Sequence, residues 1–109
     1  MKFLNLTPHP IRIFDEWGKE VLSVAPAENM RTPRVMQTND KVGGVGGVPL
    51  YRPAFGAVAN LPDPCPDTMY IVSRMVRQAT SPTRTDVVCP GPALRDQAGN
   101  IIGARGLSY

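Results

Sequence analysis

Met69-Tyr70-Ile71-Val72-Ser73-Arg74-Met75-Val76-Arg77-Gln78-Ala79, followed by Asp86-Val87-Val88-Cys89-Pro90-Gly91-Pro92, is the stretch whose reading decides the fold. Tyr70, Ile71 and Val72 favour a strand, because aromatic and β-branched side chains pack well on a pleated surface. Ser73 carries the oxygen that accepts a backbone N–H at a helix start, and Met75, Val76 and Ala79 supply an apolar side, so a short helix is expected there. Pro82 should stop it. Val87 and Val88 begin a second apolar strand. About a dozen residues separate Ser73 from Asp86, enough for a parallel crossover, although an antiparallel return fits the same length. Such a unit sets Ser73, Arg74, Arg77 and the Pro90-Gly91-Pro92 turn near the carboxyl ends of strands, where open α/β sheets bind anionic ligands.

Towards the amino terminus, residues 2–6 and 11–14 read as strands broken by Thr7-Pro8-His9-Pro10. The two prolines exclude helix and give His9 a preset direction. Asp15-Glu16-Trp17-Gly18-Lys19 is a hairpin turn leading into residues 20–24, with Gly18 supplying positive φ. Residues 25–40 lack a clean period and contain Pro26 and Pro33, so they read as a surface connection carrying Arg31, Thr32 and Arg34, with at most a short strand over residues 34–36. Gly43-Gly44-Val45-Gly46-Gly47 reads as a flexible hairpin tip, since a phosphate-cradling loop would need a Lys-Ser/Thr pair and a following helix. Residues 48–52 and 57–59 are short strands divided by Pro53-Ala54-Phe55-Gly56, and residues 61–67 form a proline-punctuated loop holding Cys65. Asp96-Gln97-Ala98-Gly99-Asn100 marks a turn before a last strand from Ile101. The expected architecture is a compact, mostly β, α+β single domain over residues 1–109, with short strands and one or two short helices.

A chain of 109 residues has room for one hydrophobic core, and 10 Gly with 12 Pro imply short elements joined by rigid turns. The net charge of +3 suits an anionic ligand, yet its mixed sign along the chain speaks against nucleic-acid binding. Arginine outnumbers lysine, which fits bidentate recognition of phosphate or carboxylate and equally fits a GC-rich coding sequence. Cys65 and Cys89 have only His9 to complete a metal set, so free thiols, no metal site and a reducing cytoplasm are expected. The opening Met1-Lys2-Phe3-Leu4-Asn5-Leu6 reads as neither signal peptide nor membrane span. No cofactor motif is present.

The residues able to carry chemistry each have a functional and a structural reading. His9 could serve as a general base or hydrogen-bond a ligand, with Asp15, Asp86 or Asp96 as partners in space, or could simply occupy a turn. Ser73 lies outside a GxSxG elbow and caps the helix, at a place an anion would also occupy. Arg74 and Arg77, three apart, can grip one anion or solvate a helix face. Thr83-Arg84-Thr85-Asp86 can hold a ribose or phosphate, or close on itself through an Arg-Asp pair. Pro90-Gly91-Pro92 permits close backbone approach to a ligand or a rigid exit from a strand. Tyr51, Phe55, Tyr70 and Trp17 could stack on a base or belong to the core.

Asn5-Leu6-Thr7-Pro8-His9-Pro10-Ile11, Phe55-Gly56-Ala57-Val58 with Leu61-Pro62, Tyr70-Ile71-Val72-Ser73, and Asp86-Val87-Val88-Cys89-Pro90 with Arg95-Asp96 and Gly99-Asn100-Ile101-Ile102-Gly103 resemble a group of small bacterial and bacteriophage proteins. The likeness covers most of the chain in order, and Asn-Leu-Thr-Pro-His is its most specific part. It implies a compact stand-alone protein, often of phage or mobile-element type, and brings no established activity with it; the matching positions are Asn5, Thr7, His9, Ser73, Asp86, Pro90 and Arg95. Residues 31–47 depart most from the pattern. The resulting expectation is a non-enzymatic, homo-oligomeric accessory protein that binds a small anionic ligand, such as a nucleotide-derived immune signal, through His9, Ser73, Arg74, Arg77, Arg84, Asp86 and Arg95. The alternatives are a small hydrolase or transferase with His9 as base, and a module that recognises a host polypeptide through an edge strand.

Overall fold

The strand–helix–strand stretch folds as a parallel crossover. In the computed structural model, which describes residues 1–80 and 83–109, the elements run β1 (Lys2–Asn5), β2 (Ile11–Phe14), β3 (Glu20–Val24), β4 (Arg34–Val45), β5 (Val48–Ala59), β6 (Thr68–Ile71), α1 (Arg74–Thr80), β7 (Val87–Pro90), β8 (Ala93–Arg95), β9 (Ile101–Ala104) and β10 (Leu107–Ser108). The expected stop of the helix at Pro82 falls outside the described residues. β6 is parallel to both β1 and β7, and β10 closes the sheet antiparallel to β7, giving the order β1-β6-β7-β10. Of the two connections the spacing allowed, the chain takes the parallel one. The reason lies in burial: Tyr70, Ile71, Val72, Val87, Val88 and Cys89 are all under a tenth exposed, the near-continuous apolar run of strands covered on both faces.

One cover is α1. Val76 packs with Leu6, Tyr70, Val72 and Val87, and Leu4, Ala27, Val35, Val58 and Leu61 close around them. The expected first hairpin forms, with β2 antiparallel to β3 and Gly18 at φ 82° in the connecting turn. β9 adds parallel to β2, and β8 adds antiparallel to β9, making a second sheet of order β3-β2-β9-β8. The molecule is thus a mostly β, α+β domain.

Gly103 sets how closely β9 approaches β2. A Cβ at this position would run into the Phe14 ring and lie 2.7 Å from the Arg12 carbonyl, and Phe14 is itself buried. Gly103→Ala is therefore expected to lower stability by about 1–3 kcal/mol, the range for overpacking a close-packed site, read as a lower midpoint in urea at unchanged m-value.

The third sheet corrects the expectation of short strands. β4 and β5 are 12 residues each and pair antiparallel along their length. The Pro53-Ala54-Phe55-Gly56 segment expected to divide this region sits inside the ribbon, Pro53 opposite Asn39 and Phe55 opposite Gln37. A two-stranded ribbon leaves one side of each strand without a partner, and there proline deletes no ladder hydrogen bond. The Gly-rich segment is the hairpin tip, Gly46 and Gly47 taking φ 57° and 83°, the double positive φ that a two-residue turn of primed type requires. Val35 and Val58 anchor the base of the ribbon in the core, whereas every residue from 36 to 53 is exposed. This arm raises the radius of gyration to 16.7 Å, against about 13 Å for a compact chain of similar length.

Candidate functional site

β1, β6 and β7 run in the same direction, so their carboxyl ends share one edge of the sheet. Three connections leave from it: residues 6–10 with His9 after β1, Val72 and Ser73 after β6, and Gly91-Pro92 after β7. Asn5 at the end of β1 organises the first. Its side chain is 1% exposed, yet it is fully hydrogen-bonded. Nδ2 donates to the carbonyls of His9 at 2.7 Å and Val24 at 3.0 Å, while Oδ1 accepts from the Thr7 N–H at 2.9 Å and the Thr7 hydroxyl at 2.6 Å. Both donors and both lone-pair positions of the amide are used. The Asn5 carbonyl also accepts from the Ala27 N–H at 2.8 Å. The Asn-Leu-Thr-Pro-His motif is thus a lock that ties this connection to the end of β3, with His9 exposed on its outside.

The carboxylates considered as partners for His9 are all engaged elsewhere. Asp15 Oδ1 accepts from the N–H groups of Trp17 and Lys19, both at 2.9 Å, and Asp96 Oδ1 does the same for Ala98 and Asn100. Asp86 receives Arg84 bidentately, Nε to Oδ1 at 2.8 Å and Nη2 to Oδ2 at 2.9 Å, and Nη2 also reaches the Pro62 carbonyl at 2.9 Å. This pair stands at the amino ends of β6 and β7, since Asp86 immediately precedes β7 and Pro62 lies in the connection entering β6. It is therefore at the opposite end of the sheet from Ser73. Arg95 lies on β8 of the second sheet, where Nη1 donates to the Gly99 carbonyl at 2.8 Å and closes the β8–β9 turn.

The Arg84 hydrogen bonds hold the Asp86 carboxyl below its ordinary range, against the opposing effect of partial burial. A depressed carboxylate contributes stability that is fully present above its unfolded pKa of about 3.9 and is lost as pH falls through the lower folded value. Asp86→Asn is accordingly expected to cost about 1.5–3 kcal/mol at neutral pH, the worth of hydrogen bonds to a charged group, with the difference from wild type shrinking in acid as the native carboxyl protonates. Denaturant melts across an acidic pH series provide the measurement.

On α1, Ser73 Oγ accepts the Val76 N–H at 3.3 Å, and the Ser73 carbonyl accepts the Arg77 N–H at 2.9 Å. Ser73 caps the helix as its sequence position implied. Arg74 is exposed. Arg77, one turn on, is 7% exposed, and neither Nε nor Nη1 finds an acceptor among the described residues. It is a buried guanidinium with two orphaned donors. The spacing left Arg74 and Arg77 either gripping one anion or solvating one helix face; the two part instead, Arg74 exposed and Arg77 buried with Val76 and Thr80. Glycine at 91 serves contact within the chain: a Cβ there would lie 2.9 Å from the Gly106 carbonyl, which already accepts the Gly91 N–H at 2.7 Å.

Apolar hollows open on the surface among the described residues, two of them well defined. The larger, about 370 Å³, lies where the two four-stranded sheets meet and is lined by residues such as Ile11, Pro90, Ala93, Ile101, Ile102 and Ala104. The smaller, about 250 Å³, lies between Met1, Phe3, Met69, Val88, Leu107 and Tyr109. Neither is lined by His9, Ser73, Arg74, Arg77, Arg84, Asp86 or Arg95. The seven residues picked from the sequence thus fall into separate places: His9, Ser73 and Arg74 towards the carboxyl edge, Arg77 inside the helix packing, Arg84 with Asp86 at the amino edge, and Arg95 on the second sheet. Among the described residues no three His, Cys, Asp or Glu side chains gather as a metal set, and no helix is long and apolar enough to cross a membrane. No family model, curated protein or solved structure matches the chain. Its fold and polar sites define a mostly β, α+β domain in which, among the described residues, two buried guanidinium nitrogens of Arg77 on α1 have no acceptor.

Proposed function

We propose that the chain is a non-enzymatic binding protein for a small anionic ligand, and that it serves a phage or mobile element by sequestering a nucleotide-derived immune signal. The observation that carries the first half is Arg77, with Nε and Nη1 buried and without acceptors among the described residues. A guanidinium does not lose its proton within a protein. Left alone, a buried charge without its partner costs about 3–5 kcal/mol; an oxyanion that met its donors would remove that cost and add charge-assisted hydrogen bonds, and because neither hollow is lined by Arg77, its entry requires α1 to shift from the elements packed on it. Phosphate and carboxylate have that chemistry. Phe55 on β5 offers an exposed ring, and every base has a face on which to stack. The phage setting rests on the likeness carried by Asn5, Thr7, His9, Ser73, Asp86, Pro90 and Arg95. A hydrolase reading loses support because Asp15, Asp86 and Asp96 are each committed to turns or to Arg84.

The test is native mass spectrometry of protein purified from a host with active nucleotide-signalling defence, joined to thermal melts with inorganic phosphate and a nucleotide panel. A retained small molecule and a melting temperature that climbs with ligand are expected, since ligand at a hundredfold over Kd adds about 2.7 kcal/mol. A clean ligand-free mass with no thermal response across the panel would remove the proposal.

A further inference from the structure

We infer that the β4–β5 arm is an assembly device, whose tip seats in the 370 Å³ hollow between the two four-stranded sheets of a second copy of this chain. An isolated two-stranded ribbon is marginally stable in water and needs further packing. Here it is long, anchored only at its base, and exposed throughout residues 36–53. Its tip, Val42-Gly43-Gly44-Val45-Gly46-Gly47-Val48-Pro49-Leu50-Tyr51, contains no charged residue. Val42, Val45, Val48 and Leu50 are 53%, 67%, 60% and 44% exposed. An uncharged apolar tip of this kind is a surface built to be covered.

The hollow matches it. Ile101 and Ile102 are 62% and 39% exposed at its wall, and its only charged lining residue, Arg12, is already bonded to Glu20 at 3.0 Å and stacked on Phe14. Joining tip to hollow therefore desolvates no free charge on either side. Both halves belong to the same chain, and because every tip residue is exposed, the tip does not fill its own hollow. The arm has the reach to fill another: 12 residues of strand span about 40 Å, and the molecule is 22 Å in its smallest dimension. A second copy thus supplies the complementary half without any other partner. The contact is heterologous, one patch against a different patch, so it repeats head to tail and closes as a ring when the rotation permits.

Sedimentation and native mass spectrometry of the full chain should show an assembly of more than one copy. Val48→Asp disables the tip and Ile102→Asp disables the hollow; both positions are exposed, so the fold, checked by circular dichroism and melting, should persist while each variant becomes monomeric. Mixing the two variants in equal amounts should then restore a species of two copies and nothing larger, because the intact tip of one meets the intact hollow of the other and no second contact remains. A chain that stays monomeric at high concentration overturns the inference and leaves a different protein as the arm's partner. Assembly that survives Ile102→Asp, or a variant mixture that stays monomeric, overturns it in favour of arm-to-arm pairing.

Discussion

Asn5→Leu is expected to destabilise the chain by about 2–4 kcal/mol, a sizeable share of the total stability of a domain of this size. Leucine has nearly the shape of asparagine, so the loss isolates hydrogen bonding. Four bonds vanish together, and the carbonyls of His9 and Val24 and the N–H of Thr7 lose their shared partner. These groups belong to two segments, the connection after β1 and the end of β3, that the Asn5 side chain joins in one network, so the effect should exceed that of one bond. A melting temperature lowered by more than about 10 °C is the readout, given that 1 kcal/mol moves a domain of about 100 residues by 4–8 °C. Asn5→Asp adds a signature that shape cannot produce. It keeps the acceptors for Thr7 but sets a carboxylate oxygen against the two carbonyls that Nδ2 satisfied. That variant should be weaker than wild type at neutral pH and recover part of the loss in acid, where the protonated carboxyl again has a hydrogen to donate. A loss under 1 kcal/mol for Asn5→Leu, or no acid recovery for Asn5→Asp, would mean the connection is held by other contacts.

The same residue shows what was legible in the sequence. Asn-Leu-Thr-Pro-His stands out as a motif, and prolines on both sides of His9 point attention to the imidazole. The chemistry of the motif lies in Asn5, whose partners include Val24, nineteen positions away, a contact no local pattern reveals. Tyr70-Ile71-Val72, Ser73 and Val87-Val88 were readable because strand preference, capping and an apolar run are local properties, and they agree with the global fold. The long arm was not, because Pro49 and Pro53 are strand breakers only where both sides of a strand are paired; their tolerance depends on β5 having β4 as its partner on one side only. Arg84 and Asp86 were readable as a cluster, and the pairing of one with the other follows from their spacing of two. That they stand at the opposite end of the sheet from Ser73 follows from the parallel direction of β6 and β7, which the spacing left open. The burial of Arg77 was hidden because Met75, Val76 and Ala79 suggest the apolar side, whereas Val76, Arg77 and Thr80 are the residues that turn inward and Met75 is exposed; a seven-residue helix is too short for the pattern to fix its buried face.

Arg77→Met should raise the stability of the ligand-free protein by about 1–3 kcal/mol, as replacing buried charge by a well-packed apolar side chain does. The sign is the argument. An arginine that serves the fold is paired within it, and its removal weakens the protein; an arginine that waits for an anion is a standing cost, and its removal strengthens the protein while ending its use. Methionine is the right replacement because its flexible unbranched chain fills the space left by the arginine stem without opening the cavity that alanine would. The ligand-dependent rise in melting temperature should vanish in this variant, so that wild type overtakes it only when ligand is present. Arg74→Met, at an exposed position on the same helix, should change ligand-free stability by less than about 0.5 kcal/mol, the ordinary size of a surface effect. If Arg77→Met melts lower than wild type without ligand, the guanidinium has a partner within the folded chain and the anion-binding proposal loses its support. If it melts higher and still responds to ligand as wild type does, the cation is a structural cost unrelated to binding. Only a gain in intrinsic stability coupled to loss of the response fits a site that keeps its charge uncompensated for a ligand to complete, the exchange of stability for function seen where binding residues are held in an unfavourable state.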